Sequence, residues 1–330
     1  MNVFVTRIIP EKGMKLLEES GHKLTVWKEK RDLTQQELIE ACKKNDALLS
    51  ASFARIDQEF LKSCPNLKVI ALLSVGYDNV DLKTATLLNI PVGNTPGVLS
   101  NATADIAFLL MLAVSRNAFY LGSSIEKGKW GFYEPTANLG IELYGKTLGI
   151  FGLGKIGYEM AKRSIAAYDM KIIYHNRRPN KEAEKDLEAE LVSFEMLLQQ
   201  SDVLSVHASL SPDTKGLFDK KVFNKMKRTS IFINTARGGI HNEPDLTEAL
   251  QEGLIWGAGL DVTNPEPMHP DNPLLHMTNV AILPHIGSAT IETRNAMAEM
   301  AAKNIIAGLK GERLPFLVNT EVIVNEKWKS

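Results

Sequence analysis

Residues 147–178 read TLGIFGLGKIGYEMAKRSIAAYDMKIIYHNRR. The apolar run Thr147–Phe151 predicts a strand and leads straight into Gly152-Leu153-Gly154-Lys155-Ile156-Gly157. A helical spacing follows, with Ile156, Met160, Ile165 and Ala166 on one face, and then a second apolar strand, Met170–Tyr174. Strand, glycine turn, helix and strand in this order form the context that a dinucleotide site requires. Gly152 allows the tight turn, Gly154 has no side chain to hold a pyrophosphate off the backbone, and Gly157 lets the helix pack close to the strand. The helix N-terminus adds free N–H groups and partial positive charge. The competing reading, a tight turn with no ligand, leaves the register of both strands and the helix unexplained.

The second strand runs into His175-Asn176-Arg177-Arg178. An acid about 20 residues beyond the glycines would bind the ribose hydroxyls of NAD. Here no carboxylate repels a 2′-phosphate, and two guanidinium groups are available to bind one. NADP(H) is therefore the expected cofactor, with NAD(H) as the second choice. The alternative is that Arg177 and Arg178 are solvated loop charges.

A chain of 330 residues suggests two domains. The formal net charge of −1 and the lack of a basic tract exclude a nucleic-acid partner as an expectation. Met1 opens directly into an apolar strand, so no leader peptide is expected. No apolar run reaches the length of a membrane span, so no membrane partner is expected either. Cys42 and Cys64 have no CxxC spacing and read as reduced thiols in helical patterns. A cytoplasmic enzyme fits these features.

The first hundred residues alternate strands (3–7, 24–27, 47–50, 69–72, 91–93) with helices (12–19, 35–44, 57–63, 82–88). Alternation of this kind predicts an α/β fold with a parallel sheet covered on both faces. This region has no glycine fingerprint, so the nucleotide domain lies further on. A long apolar helix, Ala102–Ser115, leads there, and strands are expected at 147–151, 170–174, 203–207, 230–234, 257–262 and 280–283. The last helix, Thr290–Leu309, and an extended tail, Leu317–Val324, are expected to return to the first domain. The predicted division is thus 1–100 plus 288–330, and 101–287. Residues 120–146 hold Trp130, Phe132, Tyr133 and Tyr144 among glycines and a proline, with little expected regular structure. A stretch this long is unusual inside a compact domain, and its aromatics favour an arm at a homodimer contact over a loop folded on its own domain.

Three motifs fall at the carboxyl ends of predicted strands, where α/β sheets place ligands. In Asn234-Thr235-Ala236-Arg237-Gly238-Gly239, an arginine between small residues is placed to hold a carboxylate bidentately. In Asp261-Val262-Thr263-Asn264-Pro265-Glu266-Pro267, flanking prolines set the direction of Glu266. The third, Leu283-Pro284-His285-Ile286-Gly287-Ser288, offers an imidazole. Singly, each has a bland reading: a surface cation, a solvated acid, a structural histidine. Together, beside a dinucleotide, they meet the needs of 2-oxo acid reduction: a cation for the carboxylate and a proton donor for the carbonyl oxygen, oriented by an acid. His207 ends a strand and is a weaker candidate near the cofactor. His22, His175, His241, His269 and His276 show no partner in sequence, and no cluster has metal-ligand spacing. There is no GxSxG elbow and no Walker A lysine.

With these motifs assembled, the chain resembles the D-isomer-specific 2-hydroxyacid dehydrogenases, most closely their glyoxylate/hydroxypyruvate reductase and 2-ketogluconate reductase branch. The resemblance runs through SVGYDNVD (74–81), NTPGVLSNATAD (94–105), GLGKIG (152–157), NTARGG (234–239), GLDVTNPEP (259–267) and PHIGSAT (284–290). It implies two doubly wound parallel-sheet domains, a flavodoxin-like substrate domain and a Rossmann dinucleotide-binding domain, with the active site in the cleft. It implies a catalytic Arg237, Glu266 and His285. It implies that the Ser74-Val75-Gly76 backbone faces the substrate carboxylate, that Thr103, Thr235, Ala236 and Asp261 line the cofactor, and that the arm 120–146 makes a homodimer. The expected reaction is NADPH-preferring reduction of glyoxylate, hydroxypyruvate or 2-ketogluconate to the D-2-hydroxy acid. Asn176 replaces the NAD-type acid, as in NADPH-preferring members. His241-Asn242 stands where many relatives have an apolar residue and an aspartate. Glu266 argues against the formate dehydrogenases, which pair the histidine with glutamine, and the absence of a further domain after residue 330 argues against the longer phosphoglycerate dehydrogenases. The alternative from another class is a dinucleotide-sensing, protein-binding module of the same fold, which would leave the catalytic trio without a use.

Overall fold

The structure, a computed structural model, describes residues 1–324. Residues 325–330, the end of the segment expected to return to the first domain, lie outside the described residues. Two compact units are present: Met1–Leu99 with Ala289–Ser330, and Ser100–Ser288.

The first unit holds five strands, β1 (Asn2–Val5), β2 (Lys23–Val26), β3 (Ala47–Ser50), β4 (Val69–Leu72) and β5 (Val92–Gly93). They pair in parallel in the order β2-β1-β3-β4-β5, the doubly wound arrangement of flavodoxin-like domains. Apart from Asn2 and Ser50 at their ends, the central strands are apolar because both faces are covered, and alternate residues feed separate cores. Phe4, Leu48 and Ile70 pack with Phe60, Leu61, Cys42 and Cys64, whereas Val3, Val5, Leu49 and Val69 pack with Leu17 and the C-terminal helix. That helix, Ile291–Lys310, contributes Ala298, Ala301, Ala302, Ile305 and Leu309 to the second face. Both cysteines are buried and free, and burial pushes the Cys64 thiol up to about 11, away from reactive thiolate.

The expected extended tail is extended only at its start. Leu317 bridges Gly93, and Val318 N–H donates to the Val92 carbonyl at 2.8 Å. Residues Thr320–Val324 are a 3₁₀ helix. Asn319, whose amide serves the Val92 N–H and the Ile90 carbonyl, stands at the change of direction.

The second unit holds β6 (Thr147–Phe151), β7 (Lys171–His175), β8 (Glu190–Leu191), β9 (Val203–Val206), β10 (Ile231–Asn234), β11 (Gly257–Leu260) and β12 (Val280–Ile282). All are parallel, in the order β12-β11-β10-β9-β6-β7-β8. The order reverses between β6 and β9, which is the switch point where such sheets bind ligands. The helix Ser100–Ser115 is buried against one face through Ala104, Ala107, Leu110, Met111 and Val114. No single helix among the described residues is long and apolar enough to cross a membrane.

The sequence pattern predicted six strands for this unit and missed β8. It is two exposed residues at the sheet edge, too short to show alternation. Residues 120–146 also differ from expectation, because Ala118–Glu126 is a helix, one that carries Phe119, Tyr120, Leu121 and Ile125 and buries none of them. The later part of this segment folds back on its own unit. Ile141 N–H donates to the Ser115 carbonyl at 2.8 Å, and Leu143 joins the core. Trp130, Phe132 and Tyr133 between them are exposed.

Ile305 is fully buried in the first unit's core. Ile305→Ala is expected to lower stability by about 2–5 kcal/mol, read as a fall in thermal or urea midpoint. A near-neutral result would mean that the C-terminal helix adds little to that core.

Candidate active site

Each expected reason for the glycine motif has a geometric counterpart. Gly152 has φ +94°, and a Cβ there would lie 2.5 Å from the Ala208 nitrogen on the loop after β9. At Gly157 a Cβ would press on Ile150 of β6 at 3.0 Å. Gly154 is different, because a Cβ there would meet nothing within 4 Å. The missing side chain leaves open space at the start of helix Lys155–Tyr168. No side chain caps that helix, although Thr34, Asp57, Asn180, Ser193, Asn242 and Thr290 cap others. Its first-turn N–H groups thus suit a phosphate. Lys155 at this terminus is exposed, Leu153 buried and Ile156 half-buried. The buried helix face is Gly157, Met160, Ala161 and Ser164, so the expected Ala166 faces solvent instead.

Asn176 does more than replace an acid. Its amide accepts from Leu153 N–H at 2.7 Å and donates to the Leu153 carbonyl at 3.1 Å, which fixes the middle of the glycine loop. Asn180 adds a second bond to that carbonyl at 3.0 Å. Arg177 and Arg178, next in the chain, are exposed, with no ion pair among the described residues. These features fit a nicotinamide dinucleotide: open space at Gly154 and uncapped amides at the start of the helix that follows.

Strands β10, β11 and β12 are adjacent, and each delivers one chemical group beyond its carboxyl end. After β10 the buried Asn234 shapes the loop. Its side chain accepts from Ala236 N–H at 3.0 Å and donates to the Arg237 carbonyl at 2.9 Å. Gly238 then passes so near the next loop that a Cβ would lie 1.9 Å from the Thr263 carbonyl oxygen. Thr235 is buried, and its hydroxyl has no hydrogen-bond partner among the described residues. After β11 come Asp261 and the segment bearing Glu266. After β12, His285 adopts φ +53°. Its Nδ1 lies 2.5 Å from Glu266 Oε1, with both side chains partly open to solvent. Such a bond makes Nδ1 the donor to the carboxylate and leaves Nε2 as the outward nitrogen.

Asp261, 1% exposed, holds the other side of His285. Its oxygens accept from Ile286 N–H at 2.8 Å and Gly287 N–H at 2.7 Å. Burial pushes its carboxyl above the ordinary aspartate range, partly offset by those two bonds. Thr103, buried in the first turn of its helix, lies beside Asp261 at the same glycine: a Cβ on Gly287 would meet Asp261 Oδ2 at 3.0 Å and Thr103 Cγ2 at 3.2 Å. In the first unit, Ser74 donates to the Gly76 carbonyl at 2.7 Å, and the Val75 carbonyl accepts from Asn94 at 2.9 Å, which makes 74–76 a tight turn after β4.

Burial lowers the pKa of two further histidines. His207 Nε2 contacts Ser205 Oγ at 2.8 Å, and burial pushes its pKa down to about 4. His241 is buried against Phe232. Its Nδ1 accepts from Asn234 at 3.0 Å, and burial again pushes it down to about 4. Asn242 caps the next helix by accepting from Asp245 N–H at 3.2 Å, the task an aspartate would do. Glu243 is buried too, a residue that nothing in the sequence marked. No metal-binding group of His, Cys, Asp and Glu occurs among the described residues.

A strand-end arginine, an acid–histidine couple and a glycine-rich dinucleotide turn on one parallel sheet define a nicotinamide-dependent oxidoreductase. The comparisons with known proteins agree. The profile for the D-isomer specific 2-hydroxyacid dehydrogenase NAD-binding domain matches residues 108–287. The glyoxylate reductase of Korarchaeum cryptofilum is 44% identical over 97% of this chain and 96% of its own. A solved structure from Thermus thermophilus superposes with a TM-score of 0.89 at 42% identity, covering 96% of this chain and all (100%) of that one. An NADPH-dependent glyoxylate/hydroxypyruvate reductase from Sinorhizobium meliloti, solved with NADP and malonate, gives 0.84 at 29% identity, covering 97% of each. The chain belongs to the D-isomer-specific 2-hydroxyacid dehydrogenases and is an NAD(P)-dependent enzyme of that family.

The folded state excludes a proton from His241, whose ordinary value is 6.5. The unfolded chain therefore binds more protons between about pH 6.5 and 4, and this stability is complete above that window and lost as pH falls through it. Each such histidine costs about 2 kcal/mol at roughly pH 5. Thermal midpoints should fall on acidification, and fall less in His241→Gln, which keeps an acceptor for Asn234. An equal fall in both proteins would assign the acid sensitivity elsewhere.

Proposed function

We propose that the protein reduces a small 2-oxo acid, in the set glyoxylate, hydroxypyruvate and 2-ketogluconate, to the D-2-hydroxy acid with NADPH in preference to NADH. The observation that carries this reading is the His285–Glu266 couple at 2.5 Å, one strand end away from the loop of Arg237. The glyoxylate reductase names of the relatives support the substrate set. The NADP bound by the Sinorhizobium protein and the exposed Arg177 and Arg178 support the cofactor preference. The exposed Trp130, Phe132 and Tyr133 support a homodimer through the arm.

The Gly152–Gly157 turn would hold the dinucleotide, with Thr103, Thr235, Ala236 and Asp261 lining its site, and when bound it would supply a hydride to substrate C2. Arg237 binds the substrate carboxylate through its planar fork, which also sets which face of the carbonyl is presented. His285 Nε2–H donates the proton to the carbonyl oxygen as charge develops there. Glu266 holds Nδ1–H, fixes the tautomer and stabilises the imidazolium until transfer.

His285→Ala is expected to lower kcat by roughly 10²–10⁴-fold with the cofactor Kd preserved. Near-normal turnover would reject the assignment. For the cofactor, initial rates with NADPH and NADH are compared in wild type and Arg177→Ala/Arg178→Ala. Losing charged hydrogen bonds should raise the KM for NADPH by roughly 10- to 100-fold and leave NADH nearly unchanged. Better wild-type turnover with NADH would remove the phosphate-pocket reading and leave the trio intact.

A further inference from the structure

Glu243 is a buried carboxylate in a place where burial is costly. It opens the helix Glu243–Gln251 and is 6% exposed, and no ion pair offsets its charge among the described residues. Both oxygens are used instead as acceptors. Oε2 takes the Asn264 backbone N–H at 2.9 Å, and Oε1 takes the Asn272 side-chain amide at 2.6 Å.

Each neighbour of this carboxylate leads to a group of the proposed site. Asn264 begins the Asn264-Pro265-Glu266-Pro267 segment and stands two residues before the acid that meets His285. Upstream, Glu243 is joined through the Gly238–Ile240 turn to Arg237, and Gly238 lies against Thr263, beside Asn264. Glu243 is thus the side chain that bonds the loop after β11 to the helix that follows the loop after β10. A carboxylate suits this task and an amide does not. Both partners are donors, and a glutamine would turn its own NH₂ against one of them.

We infer that Glu243 is a positioning residue for the reduction: it sets the height of the Glu266 segment, and so whether Glu266 reaches His285 Nδ1. This rests on the reading of His285 and Glu266 as the proton-donating couple. Glu243 itself touches neither substrate nor cofactor in this account. Its removal should therefore spare nucleotide binding and the KM of the 2-oxo acid, and act on the proton step. With Glu266 drawn away, the imidazolium loses its stabilising charge, and the rate of reduction falls off at lower pH than in wild type.

The test compares wild type, Glu243→Gln, Glu243→Asp and Glu266→Gln. Steady-state reduction is followed across pH with whichever of glyoxylate and hydroxypyruvate turns over faster, and NADPH binding is read separately by nucleotide fluorescence. For Glu243→Gln, kcat is expected to fall by roughly 10- to 100-fold, since small misplacements of a reacting group cost this much. The NADPH Kd should stay near wild type, and the alkaline fall-off should move to lower pH, in the direction shown by Glu266→Gln. A wild-type pH profile in a Glu243→Gln protein that binds NADPH normally overturns the inference. So does a loss of stability alone, with wild-type kcat in the folded fraction. Should Glu243→Gln fail to bind NADPH, Glu243→Asp decides by the same criteria, because it keeps the charge and shortens the reach. A Glu266→Gln protein with the wild-type profile overturns the proton-donor reading and this inference together. A shift in Glu266→Gln without one in either Glu243 variant overturns only the role of Glu243.

Discussion

Backbone N–H groups that leave the carboxyl ends of a parallel sheet and turn inward must find acceptors, and this requirement organises the second unit. The loops after β10 and β11 pass so close that a Cβ on Gly238 would lie 1.9 Å from the Thr263 carbonyl oxygen. Buried side chains serve these N–H groups. Asn234 takes the Ala236 N–H, Asp261 takes those of Ile286 and Gly287, and Glu243 takes that of Asn264. Each of these acceptors is buried and serves the loop that presents Arg237, His285 or Glu266. The groups that carry the proposed chemistry are held from behind by groups that do none.

The same closeness explains the small residues. Gly238 is pressed against the Thr263 carbonyl, and Gly152 against the chain at Ala208. At both points two backbones meet where a methyl group has no room. Gly154, by contrast, borders open space, and its helix has no capping side chain. Some glycines in these motifs let the protein pack on itself, and this one leaves room for a ligand. Distinguishing the two needs coordinates, because the residue type is the same.

Much of the site was legible. The 147–178 stretch carries its own evidence, since strand, turn, helix and strand periodicities adjoin and each glycine has a stated need. Arg237, Glu266 and His285 were readable because each sits just past an apolar run, and position at a strand end is a one-dimensional feature. Less of the surrounding structure could be read. The edge strand Glu190–Leu191 is two residues long, too short to show alternation, and the helix Ala118–Glu126 is short and lies among glycines and aromatics that read as a loop. In sequence Asn176 shows only the absence of an acid, whereas in the fold its amide grips both polar groups of Leu153.

The sequence by itself determined the alternation of strand and helix, the dinucleotide turn and the chemical types available at the strand ends. These are local properties, encoded in periods of two and 3.6 residues and in the conformational limits of glycine and proline. Tertiary structure alone decided which buried polar groups meet. His241 shows this plainly. In sequence it is a histidine with no visible partner, and in the fold it is a neutral acceptor for Asn234 beneath the Arg237 loop. Glu243 reads as a helix N-terminal acid like many others, yet it bonds to Asn264 and Asn272, more than twenty residues further along. Pairings across such distances depend on strand order and loop packing, and no spacing rule along the chain records them.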